Sequence, residues 1–364
     1  MIISIRPWLE IAEGTDPKSV DRTGSDQGLV LSSDAEMEEL LSETVRLGGI
    51  NCIDSSNRME FYHDPVLSIE VLEALQPAEG KQFFDGTLGG GGHTELLLAN
   101  GAHVIGSDQD TEAIEYVSKK LEGYEDRFLP VHGNFSNIDE VLMSVGVDQV
   151  DGVLLDLGVS SHQLDEAERG FSFRKDGPLD MRMDQTQGET AADLVNQLDK
   201  DELIRIFREY GEERKAAKVA QAIINYREQL PFETTSHLAD VVASVVPKTG
   251  RKHPATKVFE ALRIAVNKEL EVLEEVLEKA LDVLGPGGVL AVITFHSLED
   301  RIVQQFMRSR SEKTIDRPEW PEPKPNPIYS VDLPHRKPKS PTEAELEANN
   351  RSRSAKLRVA TKVR

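Results

Sequence analysis

Phe83-Phe84-Asp85-Gly86-Thr87-Leu88-Gly89-Gly90-Gly91-Gly92-His93 sets an apolar pair, an acid and a glycine cluster in immediate succession. Such a run reads as a buried strand passing through a tight turn into a helix. Glycine lets backbone amides approach a ligand closely, and a helix N-terminus favours negative or strongly polar groups. The pattern continues downstream. Lys81 to Asp85 is a first strand and His93 to Asn100 its helix. Strands at His103 to Asp108, Phe128 to His132 and Val150 to Leu157 alternate with helices at Thr111 to Leu121 and Ile138 to Val145. Strands separated by single helices predict an α/β, doubly wound, mostly parallel sheet. Val150 to Leu157 is nearly all apolar and is expected at its centre.

The alternation stops at Gly158, and the next clear strand is Gly288 to Phe295. Between them the apolar residues fall at helical spacing, as in Ala216, Val219, Ala220, Ile223 and Ile224, or Leu238, Val241, Val242 and Val245. This predicts a helical subdomain inserted over 165–255, with the sheet domain built from 59–164 and 256–364. One long helix, Thr256 to Leu284, is expected to lead back into the sheet and to end at Gly285-Pro-Gly-Gly. Eight prolines between Pro318 and Pro341 predict an extended surface segment, and Lys356 to Val363 a last strand. Residues 1–58 carry eleven acids against five Lys or Arg without a sustained period. They read as an acidic, disordered extension, and Met59 as the biological start.

Composition narrows the function. The 364 residues are 38% hydrophobic and 29% charged, ordinary for a folded chain. No apolar run approaches the roughly 18 residues of a membrane span, and no secretory signal is legible at the N-terminus, so a cytoplasmic protein is expected. Cys52 is the only cysteine, which rules out an internal disulfide and a cysteine-based zinc site. No metal is expected. The net charge of −22 opposes a polyanionic partner. Locally the balance reverses: Pro334 to Arg364 holds nine Lys or Arg against three acids, and Lys248, Arg251, Lys252 and Lys257 cluster without any acid. The oligomeric state stays open between monomer and dimer.

The glycine turn discriminates among nucleotides. A dinucleotide fingerprint G-x-G-x-x-G counted from Gly89 and Gly91 would need a third glycine where Thr94 stands, and no Walker sequence occurs. An acid followed by a glycine turn is the form that suits S-adenosylmethionine, where no phosphate is held. Asp108, ending the second strand, is placed to accept both ribose hydroxyl protons, though an acid there serves NAD as well. Phe135 after the third strand is either an adenine platform or ordinary core. Asp156 ends the apolar fourth strand, where a buried acid needs a partner or a task. Phe171 and Phe173, flanked by Arg169, Arg174 and Lys175, offer stacking faces beside cations or else a buried turn. Arg182 is expected to be held by its flanking acids, and His296 and Ser297 to order the cleft.

Together Phe61-Tyr-His-Asp-Pro-Val-Leu, Asp85-Gly-Thr-Leu-Gly-Gly-Gly-Gly-His, Leu155-Asp-Leu-Gly-Val-Ser-Ser, Glu168-Arg-Gly-Phe-Ser-Phe, Gly177-Pro-Leu-Asp-Met-Arg-Met-Asp, Tyr210-Gly-Glu-Glu-Arg, His253-Pro-Ala-Thr and Phe295-His-Ser-Leu-Glu-Asp-Arg resemble the motif series of the RsmH (MraW) family. The resemblance runs in order from Phe61 to the C-terminus. It implies a Rossmann-like class I methyltransferase sheet and S-adenosylmethionine-dependent methylation of the exocyclic N4 of a cytidine in the decoding region of 16S rRNA, on the small ribosomal subunit. It also implies cofactor contacts at Gly91, Gly92, His93, Asp108, Phe135, Asp156 and Gln163. Amino-directed DNA methyltransferases place an acid or amide, two prolines and an aromatic after the fourth strand. Asp156-Leu157-Gly158-Val159 lacks the prolines and the aromatic. The expectation is that Asp156, or a carbonyl of the Leu157-Gly158 turn, accepts an N4 hydrogen, with Ser160 or Ser161 orienting the base.

Overall fold

Seven strands form one sheet in the computed structural model, which describes residues 65–248, 250 and 253–363. The readings placed on residues 1–58, on Met59 and on Phe61 to Asp64 lie outside the described residues, as do Arg251 and Lys252. A compact unit runs over Phe61–Arg364. The sheet's strands are β1 (Gln82–Asp85), β2 (His103–Asp108), β3 (Phe128–His132), β4 (Val150–Asp156), β5 (Leu284–Thr294), β6 (Val331–Asp332) and β7 (Lys356–Lys362). They lie in the order β3-β2-β1-β4-β5-β7-β6. The first five are parallel, and β7 runs antiparallel to both β5 and β6. β4 is central, as its largely apolar run led one to expect.

Helices cover both faces. α1 (Ser68–Leu75), α2 (Gly92–Ala99), α3 (Thr111–Lys120) and α4 (Ile138–Ser144) precede β4, and the short α5 (Ser161–Asp165) follows it. Phe84, Val153, Leu155 and Val292 point to one buried layer, and Phe83, Val104, Leu154 and Ile293 to the other. This alternation is the pleat of strands buried on both faces.

A second core is mainly helical, with Phe171, Leu179, Met181, Met183 and Phe232 added from the connecting loops. α6 (Ala191–Gln197), α7 (Lys200–Glu209), α8 (Ala216–Arg227), α9 (Thr235–Val245) and α10 (Thr256–Asn267) share it. Leu203, Phe207, Val219, Ile223, Leu238 and Leu262 are completely buried there, each worth about 1.5–3 kcal/mol of burial.

The expected long helix is broken. α10 ends at Asn267, Lys268 takes a left-handed conformation (φ 50°), and α11 (Glu269–Val283) starts afresh. The two halves serve different cores, since Phe259 and Leu262 pack with the helical cluster while Leu273, Val276 and Leu277 pack on the sheet. Asn267 ties the break by donating to the carbonyls of Met181 and Arg263 and accepting from the Met183 amide. The apolar seam of the helical core therefore continues past residue 255. α12 (Ser297–Ser311) and α13 (Glu343–Ala348) complete the chain. Residues 318–341 form no helix, as their prolines dictate, but run through turns rather than a continuous extended segment, with Lys324–Pro325 paired antiparallel to Thr314–Ile315 and β6 seated at the sheet edge.

Candidate active site

The carboxyl ends of β1, β2 and β4 open on one cavity, the place where an open α/β sheet offers ligand-binding groups. Asp85 lies beneath it, 1% exposed, accepting from the Thr94 hydroxyl (2.7 Å) and the Thr87 amide (3.1 Å). Burial raises its pKa against the pull of those hydrogen bonds. The acid thus braces the glycine turn from within. Gly91 has φ 72° and a Cβ there would stand 2.8 Å from Val117, so it is required for the turn itself. It does not line the cavity. Gly92 and His93 do, along with Asp108, Phe135, Asp156, Ser160 and Gln163.

Asp108 joins two loops, its Oδ2 accepting from the Gly89 amide (2.8 Å) and its Oδ1 from the Asp110 amide (2.9 Å). Burial outweighs those bonds and pushes its pKa up to about 6. Phe135 follows β3, where Asn134 caps a short turn over Phe135–Asn137, and its ring packs at the edge of the sheet core while facing the cavity. Asp156 at the end of β4 donates its backbone amide to the Thr87 hydroxyl (2.6 Å), which joins the glycine turn to the central strand. Its Oδ1 is shielded from solvent and has no hydrogen-bond partner among the described residues, nor does either ring nitrogen of His93. His93 Nε2 stands 3.6 Å from Asp156 Oδ2. Buried polar atoms left this way beside a cavity are open to bonding by a ligand or by water.

Ser160 and Gln163 have local duties. Ser160 Oγ accepts from the Gln163 amide and Gln163 Oε1 from the Ser160 amide, a capping box that starts α5. Gln163 Nε2 donates to Asp110 (2.8 Å), which also takes Arg169 Nη1 at 2.6 Å. The oxygen of Ser160 is therefore engaged before any base arrives.

The aromatic-basic cluster takes the buried alternative. Phe171 is buried in the helical core, and Phe173 packs against Phe259 and His253 with ring centroids 4.7 Å apart. Neither ring is presented for stacking. Arg169 is 2% exposed and donates to Asp110, Glu112 and the carbonyls of Arg182 and Met183, a clamp rather than a free cation. Arg182 is held by Asp180 in a fork at 2.8 and 2.9 Å, as its flanking acids suggested, while Asp184 instead binds Thr186 and Gln187.

His296 caps α12 and pairs with Glu299 at 2.9 Å. Glu299 Oε2 takes the amides of Phe295 and His296. Burial disfavours both charges, yet their mutual attraction prevails, holding His296 above and Glu299 below their ordinary ranges. Glu269 and Glu299 line the cavity but escaped the sequence reading, for Glu269 sits where an uninterrupted helix was expected. Donor atoms of Glu269, His296 and Glu299 lie within 4.8 Å of one another. Each is already paired, Glu269 by a two-pronged bond from Arg263 at 2.8 and 2.9 Å.

The cavity wall thus carries four acids, Asp108, Asp156, Glu269 and Glu299, against His93 and Arg351. Such a lining suits a cationic ligand and repels a pyrophosphate. Comparison with known proteins agrees with this chemistry. Residues 60–363 match the model of the MraW methylase family. The chain is 50% identical over 308 residues to the ribosomal RNA small subunit methyltransferase H of Carboxydothermus hydrogenoformans, covering 84% of this chain and 99% of that one. It is also 50% identical over 310 residues to the protein of that name from Citrifermentans bemidjiense, again with 84% and 99% covered. A solved rRNA methylase from Streptococcus thermophilus superposes with a TM-score of 0.38 at 11% identity, over 81% of this chain and 95% of that one.

Proposed function

The chain belongs to the MraW methylase family, and from that premise we propose that it transfers a methyl group from S-adenosylmethionine to the exocyclic N4 of a cytidine in the decoding region of 16S rRNA on the small ribosomal subunit. The observation that carries the reading is Asp156. Its Oδ1 is a buried acceptor without a partner among the described residues, on the central strand of an acid-lined cavity.

S-adenosylmethionine, when bound, supplies a methyl group activated by a sulfonium charge. The residues present fit it. Asp108 would hold the ribose hydroxyls, Phe135 would pack on the adenine, and Gly92 with His93 would bound the methionyl part. The surrounding acids favour the sulfonium charge.

Everything else is asked of the chain's own groups. A cytosine amine is a weak nucleophile because its lone pair is delocalised into the ring, so orientation and a place for the departing proton supply the catalysis. Asp156 Oδ1 accepts one N4 hydrogen, which aims the nitrogen lone pair along the cavity, and takes the proton released as the new bond forms. Ser160 acts at one remove, by fixing α5 beside the base. A stacked cytidine must first be turned out of its helix to reach this depth. The site works in the cytoplasm, where small subunits are assembled, and no helix among the described residues is long and apolar enough to cross a membrane.

The test uses labelled S-adenosylmethionine, the purified protein and small subunits from a strain lacking its own enzyme, followed by mass spectrometry of the nucleosides. One labelled species, N4-methylated cytidine from a single 16S position, is expected. Label on another base, or on a ring carbon, refutes the assignment.

A further inference from the structure

The mechanism above leaves one cation of the cavity unused. Arg351 lies in the 3₁₀ turn Asn350–Ser354, which the cap at Asn349 and the Ser352 hydroxyl bond to the Asn349 carbonyl hold in place. Its Nη2 reaches both carboxylate oxygens of Asp165 at the end of α5, at 2.7 and 2.9 Å. Nη1, on the same planar group, is shielded from solvent and has no hydrogen-bond partner among the described residues. A guanidinium N–H buried without an acceptor is costly, and a group already anchored through one nitrogen is pre-organised to offer the other.

A ligand entering the cavity can supply that acceptor, and a guanidinium prong prefers an anionic oxygen. Two anions can enter this cavity, the carboxylate of the methionyl donor and a phosphate of the RNA strand. Position favours the phosphate. Apart from Gln163 and Asp156, the implied donor contacts run along the ends of β1, β2 and β3. Asp165, which holds Arg351, is the last residue of the helix that follows β4, the strand that carries Asp156. A nucleotide swung out of a helix brings its own backbone to the mouth of the pocket, where such contacts set its register without reading its sequence.

We propose that Arg351 is a positioning residue that binds the backbone phosphate of the nucleotide being methylated. The proposal rests on the reading of the cavity as an RNA methyltransferase site. It also eases the conflict between a net charge of −22 and an RNA substrate, since a cation is supplied where the strand must be gripped.

The experiment measures methylation of small subunits over a range of salt concentrations for the full-length wild type, Arg351→Ala and Arg351→Lys, with S-adenosylmethionine affinity measured by calorimetry for each. Arg351→Ala is expected to raise KM for the subunit about tenfold, with kcat within about twofold and donor affinity unchanged. The slope of log kcat/KM against log salt should fall by about 0.7, the value of one lost single-strand phosphate contact. Arg351→Lys, which keeps the charge but loses the fork, should recover most of the salt slope and less of the KM. Loss of donor affinity matching the rise in KM overturns the proposal in favour of the methionyl carboxylate, and an unchanged KM and salt slope overturns it outright. A wild-type enzyme that leaves subunits unlabelled refutes the parent reading and this one with it, so the two failures are told apart.

Discussion

Asp108 carries a structural load and, in the proposed site, a binding load on one carboxylate, and pH separates them. Its pKa, about 6 against an ordinary 3.8, means that between those values the folded chain holds a proton that the unfolded chain has lost. Ionising Asp108 therefore lowers stability as pH rises through that window, while creating the acceptor the ribose hydroxyls need. S-adenosylmethionine affinity is expected to weaken as pH falls below about 6 and to be flat with pH in Asp108→Asn. Titration calorimetry from pH 5 to pH 8 checks this, and an unchanged profile in the variant contradicts it. Asp156 makes a sharper separation. Asp156→Asn should bind the donor within a few-fold of wild type yet methylate at least about a hundredfold more slowly, the usual scale for a displaced proton acceptor. An undiminished rate at saturating subunit would remove its carboxylate from the mechanism. Both acids were legible in the sequence because each ends an apolar strand, a position where an unpaired charge is expensive. Glu269 and Glu299 were not, since on helices an acid is usually just solvated.

Elements differ in how openly the sequence announces them. β1 to β4 follow from apolar runs closed by acids or glycines, and the observed strands differ from the readings by a residue at most. The break at Lys268 leaves no comparable mark: the apolar stripe passes through it unchanged, and only the existence of two separate cores explains why the helix turns there. Phe171 and Phe173 stayed undecided for a related reason, because alternating aromatics beside cations look the same whether buried or displayed. Their neighbour Arg169 instead joins α3, the turn before α6 and the start of α5 through Asp110. Arg169→Met should cost roughly 3 kcal/mol, read from a denaturant midpoint, because it leaves Asp110 buried without its cation. A variant as stable as wild type would show that the clamp is dispensable.

At the scale of the whole molecule, sheet and helical core divide the work of one cavity. The sheet supplies Asp108, Phe135 and Asp156 from strand ends, while the loop from α10 to α11 supplies Asn267 and Glu269 from the other side. Four acids, Asp108, Asp156, Glu269 and Glu299, meet in the cavity, a lining that suits the sulfonium of the proposed donor, while Arg351 is the cation proposed to meet the RNA strand. The account is tested most directly by a crystal structure of the protein grown with S-adenosylmethionine and cytidine. It predicts the ribose on Asp108, the adenine against Phe135, and the cytidine amine within hydrogen-bonding distance of Asp156 Oδ1, in line with the sulfonium methyl. A donor bound elsewhere, or an amine turned away from Asp156, would contradict it.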